Sequence, residues 1–226
     1  NEKHRFGTRL GRQVAASGGV LGRFDGAVAN YGFGSGKVRV GFEGGRLVEP
    51  GLGGTKDFWG LTLDADNIVP NLGLELFAIQ QDSGGVTDRR AIGGELRYFD
   101  STRSVFSLFD YDVMFKELNI ASVQGNWSFN DNAMTINFLY DYRRSPSLQM
   151  SNALLGQSET SLSQLGLSLS QAQIKAQALG LTPVSKVASL GATFTVSSRW
   201  QLGADYRVSS VSGTIATPML PASPST

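Results

Sequence analysis

Between Leu118 and Arg143 the chain reads LNIASVQGNWSFNDNAMTINFLYDYR, an alternation of apolar and polar residues that leaves few folds open. In its second half Met134, Ile136, Phe138, Tyr140 and Tyr142 fall on one side of an extended chain. Thr135, Asn137, Asp141 and Arg143 fall on the other, with Leu139 the one apolar residue among them. The first half repeats the arrangement, with Ala121, Val123, Gly125 and Trp127 set against Ser122, Gln124, Asn126 and Ser128. Successive side chains of a strand point to opposite faces, so a sustained period of two predicts a long two-stranded ribbon with one greasy and one polar face. Asn130-Asp131-Asn132, between the halves, tolerates left-handed backbone and suits the turn of an antiparallel hairpin.

The pattern recurs along the chain. Strands are expected over 5–14, 22–31, 37–44, 57–64, 72–81, 89–99 and 104–113, and after the ribbon over 184–196 and 200–209. Turns rich in glycine or small polar residues separate them, among them Ala16–Gly19, Gly32–Gly36, Asp82–Gly85 and Ser197–Arg199. That makes roughly eleven strands of about eight to thirteen residues, near the length that crosses a bilayer at a steep tilt. Strands of a soluble sandwich run nearer five or six. The fold expected is all-β, an antiparallel transmembrane β-barrel with one short helical insertion; a soluble β-sandwich is the rival. A closed bacterial barrel needs an even strand number, and the chain starts without a leader and finishes on PMLPASPST, so residues 1–226 are expected to be a single barrel domain that is part of a longer one. If the Asn130–Asn132 turn faces the periplasm, parity puts the short turns Gly32–Gly36, Asp100–Arg103 and Ser197–Arg199 beside it. The long connections, 45–56 and 144–183, then lie together on the outer side.

Composition removes several classes of function. A net charge of +1 leaves no electrostatic footprint for nucleic acid. The absence of cysteine excludes thiolate metal sites and Cys nucleophiles, and the lone histidine, His4, cannot build a multi-histidine metal site or a Ser-His-Asp set. No enzymatic activity and no cofactor are expected. No window approaches the roughly 18 apolar residues of a spanning helix, while a mean hydropathy of −0.10 suits a barrel whose greasy and polar residues alternate.

The segments LGRQVAASGGVLGRFDGA (10–27), DRRAIGGELRYFD (88–100), FDYDVMFKELNIASVQGNW (109–127) and DYRRSPSLQMSNALLGQ (141–157) resemble poorly characterised proteobacterial outer-membrane β-barrel proteins, in some of which the barrel follows periplasmic tetratricopeptide repeats. The resemblance implies a bacterial outer-membrane location in a Gram-negative cell, with outer-membrane lipid as the first partner and a periplasmic repeat domain or secretion components as further ones. It brings no substrate and no catalytic residue, and the chain itself contains no such repeat.

The expected polar face carries Arg39, Glu43, Glu75, Glu95, Arg97, Asp110, Asp112, Asp141, Arg143, Asp205 and Arg207. Facing a lumen, these charges would either set up a transverse field that orders polar solutes or neutralise one another across neighbouring strands. Asp110 and Asp112 could hold a cation or, more simply, an arginine. On the greasy face Trp59, Tyr98, Tyr111, Trp127, Tyr142, Trp200 and Tyr206 are candidates for an aromatic girdle at the membrane interfaces, with Phe109 beside them. In the insertion, 161–181 reads as the one helical region, with a Ser170/Gln173 capping box and a Leu169/Ile174 staple in it and a stop at Gly180 and Pro183. It would plug the lumen, cap its mouth, meet a partner or lie on the surface. The function expected is a pore or export conduit for polar solutes or polymers. The alternative is a non-conducting docking barrel that anchors periplasmic or surface partners.

Overall fold

The computed structural model describes residues 5–14, 19, 22–34, 37–49, 51–129 and 133–226. His4, the Asn130–Asn132 turn, Ala16–Gly18 and Ser35–Gly36 lie outside the described residues. Eleven strands form one antiparallel sheet in chain order: β1 (Phe6–Val14), β2 (Arg23–Phe33), β3 (Val38–Leu47), β4 (Lys56–Asp66), β5 (Leu72–Ser83), β6 (Val86–Phe99), β7 (Arg103–Asp112), β8 (Glu117–Phe129), β9 (Met134–Arg144), β10 (Val184–Ser197) and β11 (Trp200–Val211). Each strand pairs with its neighbours in sequence, and β1 and β11 are the two edges of the sheet. The sheet has no second sheet packed against it, so the two-layer sandwich kept open by the sequence does not form among the described residues.

Register settles which side chains share a face. The ribbon pairs Val123 with Tyr140, Gly125 with Phe138 and Trp127 with Ile136 on one face, and Ser122 with Asp141, Gln124 with Leu139 and Asn126 with Asn137 on the other. Carried across the sheet, the first face, here called outer, takes Trp59, Leu61 and Leu63 from β4, Leu74 and Leu76 from β5, Ile92 and Leu96 from β6, and Leu202 and Tyr206 from β11. These side chains are exposed. Across its middle the outer face carries no Asp, Glu, Lys or Arg among the described residues of any strand; charges enter towards the strand ends, with Arg90 of β6, opposite Gln80, reaching furthest in. At one end Arg12 pairs with Asp25 at 2.9 Å and Arg46 with Asp57 at 2.8 Å, and Arg23 pairs with Glu49 beside them. Exposed pairs of this kind add little stability. Their interest is positional, since they mark where the uncharged band stops.

The two ends of the sheet differ. One, the turn end, carries the connections 34–37, 67–71, 100–102, 130–133 and 198–199. The other, the insertion end, carries 15–22, 48–55 and 145–183, together with the tight links 84–85 and 113–116. The short and long connections thus segregate as the parity of the strands requires, although two links at the insertion end are also tight. At Gly84–Gly85 both residues have positive φ (57° and 81°), which matches a two-residue hairpin turn that only glycine closes without strain.

At the turn end Asp100 organises the β6–β7 link. Its carboxylate accepts the backbone N–H of Thr102 at 2.8 Å, the Tyr98 hydroxyl at 2.8 Å and the Arg103 N–H at 2.7 Å. These donors, the Thr102 amide foremost, favour the charged form and hold the carboxyl from the usual 3.8 down to about 2. A depressed folded-state pKa contributes stability that is complete above the unfolded value and is lost as pH falls through the folded one. Melting of the protein in detergent is therefore expected to show an acid-dependent step between pH 4 and pH 2, set by the usual 3.8 and the held-down value of about 2, that is absent in Asp100→Asn. Parallel acid profiles for the two proteins would remove this role.

The helical region expected over 161–181 holds two helices. Ser161 caps α1 (Leu162–Leu165), and Ser170 caps α2 (Gln171–Gly180) with the full reciprocal capping box to Gln173. Gly166 and the serine-rich stretch after it are poor helix formers, and Leu167 there stands 90% exposed. Gly180 is the last helical residue, and its need is for space: a Cβ would lie 2.8 Å from Ile215 Cδ1.

Candidate functional site

The face opposite the bare one, here called inner, receives the insertion. Two β-bulges prepare it. Between β5 and β6 the register slips at Gln81, so Asp88 and Arg89 both stand opposite Gln81 and both are buried. Between β7 and β8 it slips at Asp110, and Asn119 becomes the extra residue, also buried. A bulge of this kind breaks the alternation once and re-aims a side chain. In both cases that side chain is polar and meets the insertion.

Asp88 is the hub. Its Oδ1 accepts the Ser151 backbone N–H at 2.7 Å, and its Oδ2 accepts Gln81 Nε2 at 2.9 Å and the Ser151 hydroxyl at 3.2 Å. Lys56, 1% exposed, brings Nζ to 2.8 Å from Asp88 Oδ2, 2.9 Å from Gln149 Oε1 and 2.8 Å from Ser151 Oγ. The ammonium and carboxylate are thus buried together with hydrogen bonds for their remaining positions, the condition under which a buried pair is tolerated. Asn119 Oδ1 accepts the Leu148 N–H at 2.9 Å. Both bulges therefore grip 148–151, the segment that leads into the 3-10 helix Met150–Leu154.

The base of the insertion is closed by Arg144, which donates to the carbonyls of Leu118 and Thr182 and pairs with Glu117 at 3.0 Å. Inside, Leu148, Met150, Leu154, Leu162, Leu165 and Ile174 pack with Phe115 from the β7–β8 link. Two further carbonyls from outside the insertion reach the inner face. The Gly19 carbonyl accepts from Arg89 Nη1 at 3.0 Å, and the Gly53 carbonyl accepts the Ser83 hydroxyl at 2.8 Å. Between β2 and β6 the inner face is itself filled by Phe24, Phe58, Phe77 and Ile79. Phe24 and Phe58 meet edge to face at 4.8 Å across β3, where Gly45, opposite Phe58, carries no side chain.

All eleven charged residues singled out from the sequence lie on the inner face, but they do not form one wall. Asp110 pairs with Arg89, a residue the sequence did not single out. Asp112 accepts the backbone N–H groups of Met114 and Phe115, both at 2.8 Å, and so caps the β7–β8 link. Arg39 and Arg97 reach Asp66 at 3.2 and 3.7 Å, and Arg143 pairs with Asp141 on its own strand at 2.6 Å. Glu43 and Glu75 are buried, Glu95 stands opposite Glu75, and Asp205 and Arg207 line the far edge. The seven aromatic candidates all lie on the outer face. Trp59, Tyr111 and Tyr142 stand towards the insertion end and Tyr98, Trp127 and Trp200 towards the turn end, whereas Tyr206 is mid-strand.

The inner face of β7–β11 is unfilled and leaves a hollow of about 680 Å3. Phe106, Gln124, Asn126, Asn137 and Leu139 line its floor, with Asp205 and Arg207 at its rim. Among the described residues no three His, Asp or Glu side chains converge as a metal would require.

Fold and site together define a one-layer antiparallel β-protein with an uncharged greasy outer face and a polar inner face that holds a folded insertion. No family model matches the chain and no curated protein matches it. Among solved structures it is similar to Pseudomonas aeruginosa OccK8 (OprE), at 12% identity and a TM-score of 0.40, over 92% of this chain and 59% of that one.

Proposed function

We propose that the chain forms the wall of an outer-membrane β-barrel pore for small polar solutes, narrowed from within by residues 144–183. The observation that carries this reading is the outer face, uncharged across its middle and lined there by exposed Trp, Phe, Leu and Tyr side chains. Contiguous apolar patches on soluble monomers seldom exceed a few hundred Å2, and an apolar face this continuous suits lipid. Strand length agrees, since β11 spans Trp200–Val211, near the 9–11 residues a tilted crossing needs. The hollow under β7–β11 is the path, and the insertion its control.

A second reading, a docking barrel closed to solutes, draws on the filled inner face of β2–β6 and on the Gly19 and Gly53 carbonyls that bond to it. Planar-bilayer recordings of the full-length protein decide between them. The pore reading expects discrete conductance steps that grow several-fold when residues 158–182 are deleted. Silence from both proteins supports the docking barrel.

A further inference from the structure

We propose that the hollow on the inner face of β7–β11 binds neutral saccharides; the proposal deepens the pore reading and rests on it for the site's access to solutes. Its volume, about 680 Å3, falls in the range of roughly 300–1,000 Å3 typical of small-molecule sites. Two adjacent rungs of the ladder form its floor. In one, Asn126 faces Asn137, and Asn137 faces Gly191, which has no side chain to fill the space before Asp205. In the other, Phe106 faces Gln124 and Gln124 faces Leu139. The hollow therefore sets three carboxamides beside a phenyl ring and an isobutyl group.

Carboxamides offer donors and acceptors together, as sugar hydroxyls do. The apolar C–H face of a pyranose matches a phenyl or isobutyl surface, which gains nothing from a compact ion. Ser104 donates to Asn126 Oδ1 at 3.0 Å, which occupies that oxygen and leaves the amide's NH2 as a donor. Charge points the same way. The lining's charged side chains are Asp205 and Arg207, one of each sign, so there is no single-sign ring to select a cation or an anion.

Isothermal titration of the detergent-solubilised full chain with maltotriose tests this without requiring conduction. Saturable binding is expected, weakened about ten-fold in the Asn126→Ala/Asn137→Ala double variant, which removes two of the three carboxamides. Gln124→Ala is expected to weaken it less, and Asp205→Asn/Arg207→Gln to leave it unchanged. All the variants should melt with the wild type, because these side chains lie in an open hollow. Absence of maltotriose binding to the wild type, undiminished binding in the double variant, or equal binding of gluconate overturns the proposal. A chain that conducts without binding maltotriose loses the saccharide site alone, and one that binds without conducting loses the pore alone.

Discussion

Asp88→Ala is expected to release the insertion from the sheet. The substitution removes the acceptor of the Ser151 N–H and the counter-charge of Lys56, whose side chain is 1% exposed. Breaking a buried pair from one side costs about 3–5 kcal/mol, because the remaining charge is stranded out of water. That loss falls on the contacts that dock 148–151, and the sheet ladder on either side of Asp88 is untouched. Trypsin reads the outcome at Lys175, which lies in α2 with its Nζ on the Met114 carbonyl. The wild type should resist cleavage there, and Asp88→Ala should be cut many times faster. Lys56→Met combined with Asp88→Asn should recover most of the resistance, since no charge is left buried and a carboxamide at position 88 can still accept from Ser151. The cycle separates the charge pair from the hydrogen bond. Equal resistance of Asp88→Ala and wild type would show that the apolar cluster around Phe115 holds the insertion unaided.

What the sequence made legible follows from how each feature writes itself into the alternation. A strand with a clean period of two gives both its existence and its faces, and β9 shows this down to Leu139, which lies among polar neighbours on the inner face. The bulges defeat the same logic. Each inserts one residue, so Asp88 and Arg89 share a side although consecutive residues of a strand should not. In the sequence that slip looks like a strand beginning late, at Arg89, with residues 86–88 left unassigned after the turn. Asn119 is hidden in the same way between Leu118 and Ile120. The hub of the site therefore stood where the pattern faltered, and the signal available was the faltering itself. The filled half of the inner face was illegible for another reason. Phe58 beside Trp59, and Phe77 beside Leu76, put apolar residues on both faces, and periodicity cannot say which face meets protein and which does not.

Gly93→Ala should be among the most damaging single methyl additions to the sheet. A Cβ at Gly93 would stand 2.2 Å from the Phe109 carbonyl oxygen and 2.4 Å from Phe77 Cζ. The ring could turn aside at the cost of its packing, but the carbonyl belongs to the β6–β7 ladder and cannot move without parting the strands. Phe77 occupies the space a side chain would have taken, covering the bare backbone of the neighbouring strand while it packs with Ile79 and Phe58 in the inner core. Overpacking of a rigid site costs about 1–3 kcal/mol or more, and here it falls between two central strands. Gly191→Ala and Gly203→Ala serve as controls, because their nearest neighbours lie at 3.5 and 3.6 Å, ordinary contact for a methyl group. Refolding into detergent should therefore give native yields of both controls and a sharply reduced yield of Gly93→Ala, with Phe77→Leu/Gly93→Ala no better because the carbonyl clash remains. A rescue by Phe77→Leu would instead place the whole constraint on the ring and leave the β6–β7 spacing free to adjust.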